Sequence, residues 1–176
     1  NALEHVDLVW VEEPTHVENH DALKQVRQNT NVPLCVGERH FARWDYLTIL
    51  QEGLVDYIMP DVARCGGISE LRRIAALAEP YFVRLSPHDA LGPVSIAAGF
   101  QTCMNTPNLY RQECVSDWFP LFEKIITPMF DIHDGSIWPS DRPGLGIELI
   151  HEEVERYAID VDDPEQLPDW YVNLEK

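Results

Sequence analysis

The chain has 176 residues, 45% hydrophobic, with 30 acidic against 13 basic side chains and a formal net charge of -17. That length supports one sizeable core but is too short for a closed eight-unit α/β barrel plus a second domain. The charge argues against nucleic acid as a partner, because phosphate binding needs clustered cations and the only lysines are Lys24, Lys124 and Lys176. The acidity fits a solvated surface and, with ten Arg to three Lys, also fits a salt-adapted source.

Cys35, Cys65, Cys103 and Cys114 form no C-x-x-C pair, so buried free thiols in a reducing compartment, the cytoplasm, are expected. No apolar run reaches the length of a membrane span, and the first residues show no signal-peptide pattern. The chain reads as starting in mid-domain, since an apolar strand arrives almost at once.

In chain order, VDLVWVEEP (residues 6–14) predicts a strand, and the stripe of Ala22, Leu23 and Val26 predicts a helix over 17–30. NVPLCVGE (31–38) predicts a second strand, followed by a helix over 42–53 that Gly53 closes. VDYIMPD (55–61) is the third strand, with a helix over 67–80 stopped by Pro80. YFVRLSPHD (81–89) is the fourth, with a helix over 92–104 behind it. NLYRQEC (108–114) is a weaker fifth strand followed by the amphipathic stretch 118–126. Beyond residue 127 the rhythm breaks, and Asp134-Gly135 predicts a hairpin turn before a tail rich in Pro and Gly. The expected organisation is a partial barrel of five β/α units over 1–127, with a hairpin and tail over 128–176.

Strands that are apolar throughout and alternate with helices imply a parallel sheet covered by helices. Polar residues then decide the architecture. Glu12, Glu38, Asp61, His88 and Glu113 each end a predicted strand, 26, 23, 27 and 25 residues apart, one β/α unit per step. In a barrel all five lie on one rim facing a shared centre. A doubly wound sheet would spread them along an open edge and usually carries a Gly-rich phosphate loop, for which Gly66-Gly67 is a weak substitute. The reading favoured is an α/β fold that is part of a (β/α)8-type barrel.

The residue types suggest chemistry. Glu12 and Glu38 on neighbouring strands could converge on a hard divalent cation such as magnesium, although two carboxylates do not complete a site. Each could instead face solvent or pair with Arg39 or Arg43. Glu13 competes with Glu12, since strand alternation points only one of them inward. Asp61 next to His88 could fix the imidazole tautomer and leave the other ring nitrogen as a general base. Glu113 could donate as a protonated acid to a developing oxyanion, or pair with Arg111. Arg39, Arg64, His40 and His16 lie on rim-side segments and are candidate substrate contacts. The tryptophans, Trp10, Trp44, Trp118, Trp138 and Trp170, are expected to pack. Ser86 has no nucleophile elbow around it, which argues against serine chemistry.

These strand ends resemble the enolase superfamily, in particular its mandelate racemase-like branch that includes sugar-acid dehydratases. The matching strings are WVEEP, VPLCVGER, MPDVARCGGISE, LSPHDALGP, Gln112-Glu113 and RPGLGIEL, in family order across most of residues 8 to 149. GER, RWD, GGI and the PH and LGP pieces are similar to galactonate dehydratase and its relatives, whereas Thr15 to Asn19 and RRIAALAE are similar to mannonate dehydratase-like proteins. The resemblance implies that these are barrel strands four to eight, with Glu12 and Glu38 as magnesium ligands, Asp61 and His88 as the base dyad, and Glu113 as the eighth-strand carboxyl group. It further implies magnesium-assisted removal of a sugar acid's α-proton to an enediolate, then loss of the 3-hydroxyl as water to give a 2-keto-3-deoxy acid. The full-length enzyme would be a cytoplasmic homo-oligomer. Asp89 stands where the galactonate dehydratase pattern has Cys. The family's first metal-ligand Asp, the His two residues after it and the capping domain would precede Asn1, so this segment alone is expected to be inactive. Racemase, epimerase or cycloisomerase chemistry, or a noncatalytic barrel relic, are the alternatives.

Overall fold

The structure is a computed structural model that describes Ala2 and residues 4–160. The far end of the expected tail and Trp170 lie outside the described residues.

Four strands, β1 (Val11–Glu12), β2 (Leu34–Val36), β3 (Tyr57–Ile58) and β4 (Arg84–Leu85), form one parallel sheet in sequential order. Their connections are α1 (His20–Asn29), α2 (Arg43–Gln51) and α3 (Ile68–Ala78), and α4 (Pro93–Cys103) follows β4. Each helix starts where the local chemistry allows. Asn19 caps α1 by accepting from the Ala22 N–H, Asp45 accepts from Phe41 N–H ahead of α2, and Pro93 occupies the first turn of α4.

Alternation along the strands splits the sheet into two faces. Leu34, Val36, Ile58 and Leu85 join Tyr46, Ile49, Leu71 and Ile74 in one buried core beneath the helices. The opposite face carries the registered row Glu12, Cys35, Tyr57 and Arg84. On that face the Trp10 ring lies 5.1 Å from Tyr57 and 6.0 Å from Tyr110. Burying the eight named core side chains stabilises the fold by roughly 1.5–3 kcal/mol for each large aliphatic residue, before chain entropy is subtracted.

All five expected strands are shorter than the apolar runs: β2 keeps three residues of 31–38, β3 two of 55–61 and β4 two of 81–89, where Tyr81 instead ends a 3-10 turn. Of residues 6–14 only Val11–Glu12 pair, while Glu4–Val6 form a 3-10 turn, and Val6 and Val9 are exposed. Of residues 108–114, only Leu109 bridges, to Leu85, because polar side chains deprive the segment of a face to bury. It still runs parallel to β4, with Tyr110 N–H donating to Leu85 O at 2.7 Å and Glu113 N–H to Pro87 O at 3.0 Å.

Beyond the sheet, α5 (Phe119–Ile125) leads into β5 (Ile126–Thr127). The Asp134-Gly135 turn joins β6 (Asp131–His133) to β7 (Ser136–Trp138) as an antiparallel hairpin. β8 (Glu148–Leu149) pairs antiparallel with β5, and α6 (His151–Arg156) follows. Ile96 of α4, Phe122 and Ile126 form a second core on which Ile137 of the hairpin packs. Packing of the tryptophans is mixed. Trp118 meets Phe122 edge-on and Trp138 stacks on His133, whereas Trp44 is 70% exposed with the Arg43 guanidinium over its ring, contrary to the expectation of a packed residue.

Candidate active site

The strand ends meet around His88. Tyr57 and Arg84 are in register, and four residues further along the same two segments Asp61 and His88 form a parallel bridge, so both side chains emerge on the inner face. His88 Nδ1 lies 2.7 Å from Asp61 Oδ2, and the Asp61 side chain is fully buried. Asp61 Oδ1 is also engaged, accepting the Ala63 N–H at 2.7 Å. The carboxylate therefore cannot rotate without losing a buried hydrogen bond, and it fixes Nδ1 as the donor nitrogen. Nε2 points the other way, 3.1 Å from Glu38 Oε2 and 3.7 Å from Glu113 Oε2. Thus Glu38, Asp61 and Glu113, from the second, third and fifth units, surround the imidazole that the fourth unit carries.

The backbone carrying Glu38 is held from both sides. Gly37 N–H donates to Glu13 Oε1 at 2.7 Å, while Gly37 O accepts from the buried Tyr46 hydroxyl at 2.9 Å and from the His40 N–H at 3.0 Å. Arg39 Nη2 reaches Glu13 Oε2 at 2.9 Å. This separates the two acids of WVEEP: Glu13 ties β1 to the end of β2, and Glu12 is exposed on the inner face, its carboxylate accepting from Trp10 Nε1 at 3.1 Å. Gly37 is required by close approach as well as by its φ of 154°, since a Cβ there would stand 2.6 Å from the Met59 backbone.

The proposed substrate contacts divide. Arg64 stays near the site, its Nη1 3.3 Å from Glu38 O. Arg39 is committed to Glu13 and the Thr15 carbonyl. His16 is largely exposed and pairs with Glu18. His40 is only 3% exposed, with its ring 5.1 Å from Tyr46 and neither ring nitrogen hydrogen-bonded. Burial lowers its pKa below the ordinary range, so it packs as a neutral ring. The alternative ion pairs go elsewhere, with Arg43 on Glu70 rather than on Glu38.

For a divalent cation, Glu12 and Glu38 offer hard oxygen donors on neighbouring units, and neither is neutralised by a guanidinium in the described contacts. Among the described residues no group of three His, Cys, Asp or Glu side chains is arranged to hold a metal ion. The hard carboxylate oxygens of Glu12 and Glu38 match the donor type that magnesium takes.

Sequence reasoning did not identify Tyr46, Asp89 or Gln112 as supports of the site. Gly37 and Gly99 were the available signals, as glycines inside a strand end and a helix mark close approaches.

A parallel sheet with its helices on one face and its polar strand ends gathered on the other is part of a modified (β/α) barrel, of the kind formed by enolase C-terminal domains. The family described as Enolase C-terminal domain-like matches residues 1–154, and the chain belongs to it, within the mandelate racemase and muconate lactonizing enzyme-like branch of the enolase superfamily. It is 39% identical over 169 residues to a D-galactonate dehydratase family member of Streptomyces bingchenggensis, covering 95% of this chain and 40% of that protein. It is also 39% identical over 142 residues to a D-mannonate dehydratase of Sphingomonas sp., covering 80% of this chain and 35% of that one. A mandelate racemase/muconate lactonizing enzyme-like protein from Rubrobacter xylanophilus superposes with a TM-score of 0.85 at 37% identity, over 90% of this chain and 41% of its own. The chain thus spans about 40% of the length of the relatives it matches.

Proposed function

We propose that this chain is the catalytic-rim portion of a magnesium-dependent dehydratase acting on a sugar acid of the aldonate class, with galactonate the first substrate to try. The observation that carries the reading is the His88–Asp61 dyad, whose Nε2 is turned away from Asp61 toward Glu38 and Glu113. His88 Nε2 takes the proton from the carbon next to the substrate carboxylate, and Asp61 holds the ring so that this nitrogen is presented. The electron pair left behind moves into the carboxyl group as an enediolate, which a hydrogen bond from Glu113 stabilises. The C3–O bond then breaks as a general acid protonates the departing hydroxyl, which leaves as water, and the resulting enol takes a proton at C3 and loses its hydroxyl proton to become the 2-keto-3-deoxy acid. Glu12 and Glu38 would hold magnesium, which supplies positive charge against the substrate carboxylate. Of the four candidate substrate contacts Arg64 is the best placed, since Arg39 is held by Glu13, His40 is buried and His16 pairs with Glu18.

Dehydration is favoured over racemisation because relatives with 34–39% identity include dehydratases of mannonate, xylonate and gluconate. We place the division between barrel part and C-terminal hairpin and tail at residues 127 and 128. The free cysteines suit the cytoplasm, and no described helix is long and apolar enough to cross a membrane. The test is product analysis of the full-length protein with magnesium against a panel of aldonic and aldaric acids. A 2-keto-3-deoxy acid is expected. Solvent deuterium entering the α-carbon without net water loss would instead establish a racemase or epimerase, and no exchange with any acid would sink both readings.

A further inference from the structure

Asp89 is 1% exposed, directly follows His88, and has no part in the proton transfer described above. Both its side chain and its backbone reach the segment that carries Glu113. Gln112 Nε2 donates to Asp89 Oδ2 at 3.1 Å and to the Ile96 carbonyl of α4 at 3.1 Å, while the Asp89 N–H donates to Glu113 Oε2 at 3.1 Å. The opposing wall is shaped for the amide. A Cβ on Gly99 would lie 2.8 Å from Gln112 Nε2 and 3.4 Å from Asp89 Oδ2. This matters because the segment bearing Glu113 has no ladder beyond the single Leu85–Leu109 bridge and the Glu113–Pro87 hydrogen bond. A strand end in a barrel is normally aligned by a continuous ladder, but here one backbone hydrogen bond reaches Glu113 and side chains supply the rest.

We infer that Asp89, Gln112 and Gly99 form a brace that positions Glu113 beside His88, completing the alignment that sparse backbone pairing begins. Asp89 is a positioning residue: its side chain supplies an acceptor oxygen, and its backbone supplies the donor that Glu113 meets. Loss of the acceptor leaves a buried amide hydrogen without its partner, and the 112–113 segment moves to recover one. Burial pushes the Asp89 carboxyl up to about 7, against the opposing effect of its hydrogen-bond donors, which agrees with a group used for hydrogen bonding rather than for fixed charge. An Asn side chain keeps the acceptor. Its amide could also meet Gln112 Oε1, which is buried without a partner.

The effect on turnover rests on the role proposed for Glu113, so geometry and turnover are measured separately. Crystal structures and α-proton exchange kinetics are obtained for the full-length protein and its Asp89→Ala, Asp89→Asn and Gly99→Ala variants. In Asp89→Ala and Gly99→Ala, Glu113 is expected to move by about 1 Å or more, with kcat falling on the order of 10²-fold at little cost in KM. Asp89→Asn should keep both the wild-type geometry and most of the rate. Gly99→Ala reports on the brace even where Asp89→Ala fails to fold, because Ala is the better helix former at that site. An unmoved Glu113 in the folded Ala variants would overturn the inference, as would an Asn variant impaired as badly as Asp89→Ala. Absence of exchange in the unmodified protein would defeat the proposed function, leaving the crystal structures to decide the brace.

Discussion

At the scale of single residues, the arrangement around His88 sorts near-identical side chains into different roles. His88 and His40 both follow strand ends, yet one contacts three carboxylates and the other packs against Tyr46 with no hydrogen bond to its ring. His88→Ala in the full-length protein should lower α-proton exchange by about 10²–10⁴-fold, the usual contribution of a positioned general base. Magnesium affinity, read by calorimetry, should be nearly unchanged, and retained exchange would reject His88 as the base. Glu12 and Glu13 separate in the same way. Glu12→Gln should weaken magnesium binding with little change in the urea midpoint. Glu13→Gln should leave magnesium affinity close to wild type but cost about 1–3 kcal/mol of stability, because it loses a charge-assisted tie to Gly37 and Arg39. The reverse pattern would exchange their roles. Sequence alternation alone could say that the two acids point in opposite directions, but not which one points inward, since β1 contributes only one core-facing position, Val11, from which to count.

At the scale of elements, short strands make the site depend on contacts between strand ends. β3 and β4 have two ladder residues each, and the polar ends are aligned by the Asp61–His88 bridge and by the hydrogen bonds on Gly37. Gly37→Ala should therefore do more than restrict a backbone angle. The new methyl would meet Met59 backbone atoms at 2.6 Å, which no rotamer can relieve, so β2 and β3 must part. A loss of about 1–3 kcal/mol in urea unfolding is expected, together with reduced exchange as Glu38 shifts. Unchanged stability would show that the two strands can separate freely. Most helices were legible in the sequence, because α1 and α3 present clear apolar stripes and Pro80 and Pro93 mark helix boundaries. Four of the five expected parallel strands formed and the fifth only bridges, and none has the length of its apolar run. An apolar run reports that residues are buried, whereas ladder pairing requires a neighbour in register.

For the whole molecule, the net charge of -17 describes mostly solvated acids, and one buried acid gives the fold a distinct pH response. The folded-state pKa of Asp89 is raised from 3.8 to about 7, chiefly by burial, so the native state holds a proton that the unfolded chain has already released across that window. Its contribution to stability is accordingly present below 3.8 and is lost as pH rises toward about 7. Urea midpoints of the full-length protein should show this downward component between those limits, and Asp89→Asn should remove it. An identical slope in the variant would assign the pH response to other groups.

The sequence by itself determined the alternation of apolar runs and helical stripes, the one-unit spacing of Glu12, Glu38, Asp61, His88 and Glu113, and through its motifs the resemblance to the enolase superfamily. Those features are periodic, and periodicity survives in one dimension. Only the tertiary structure decided that Glu13 holds Gly37, that His40 is buried, that Arg39 is committed to Glu13, and that Asp89 meets both Gln112 and Glu113. Each of those outcomes depends on which groups meet across residues far apart in the chain, and hydrogen bonding and desolvation act on that distance in space rather than on distance along the sequence.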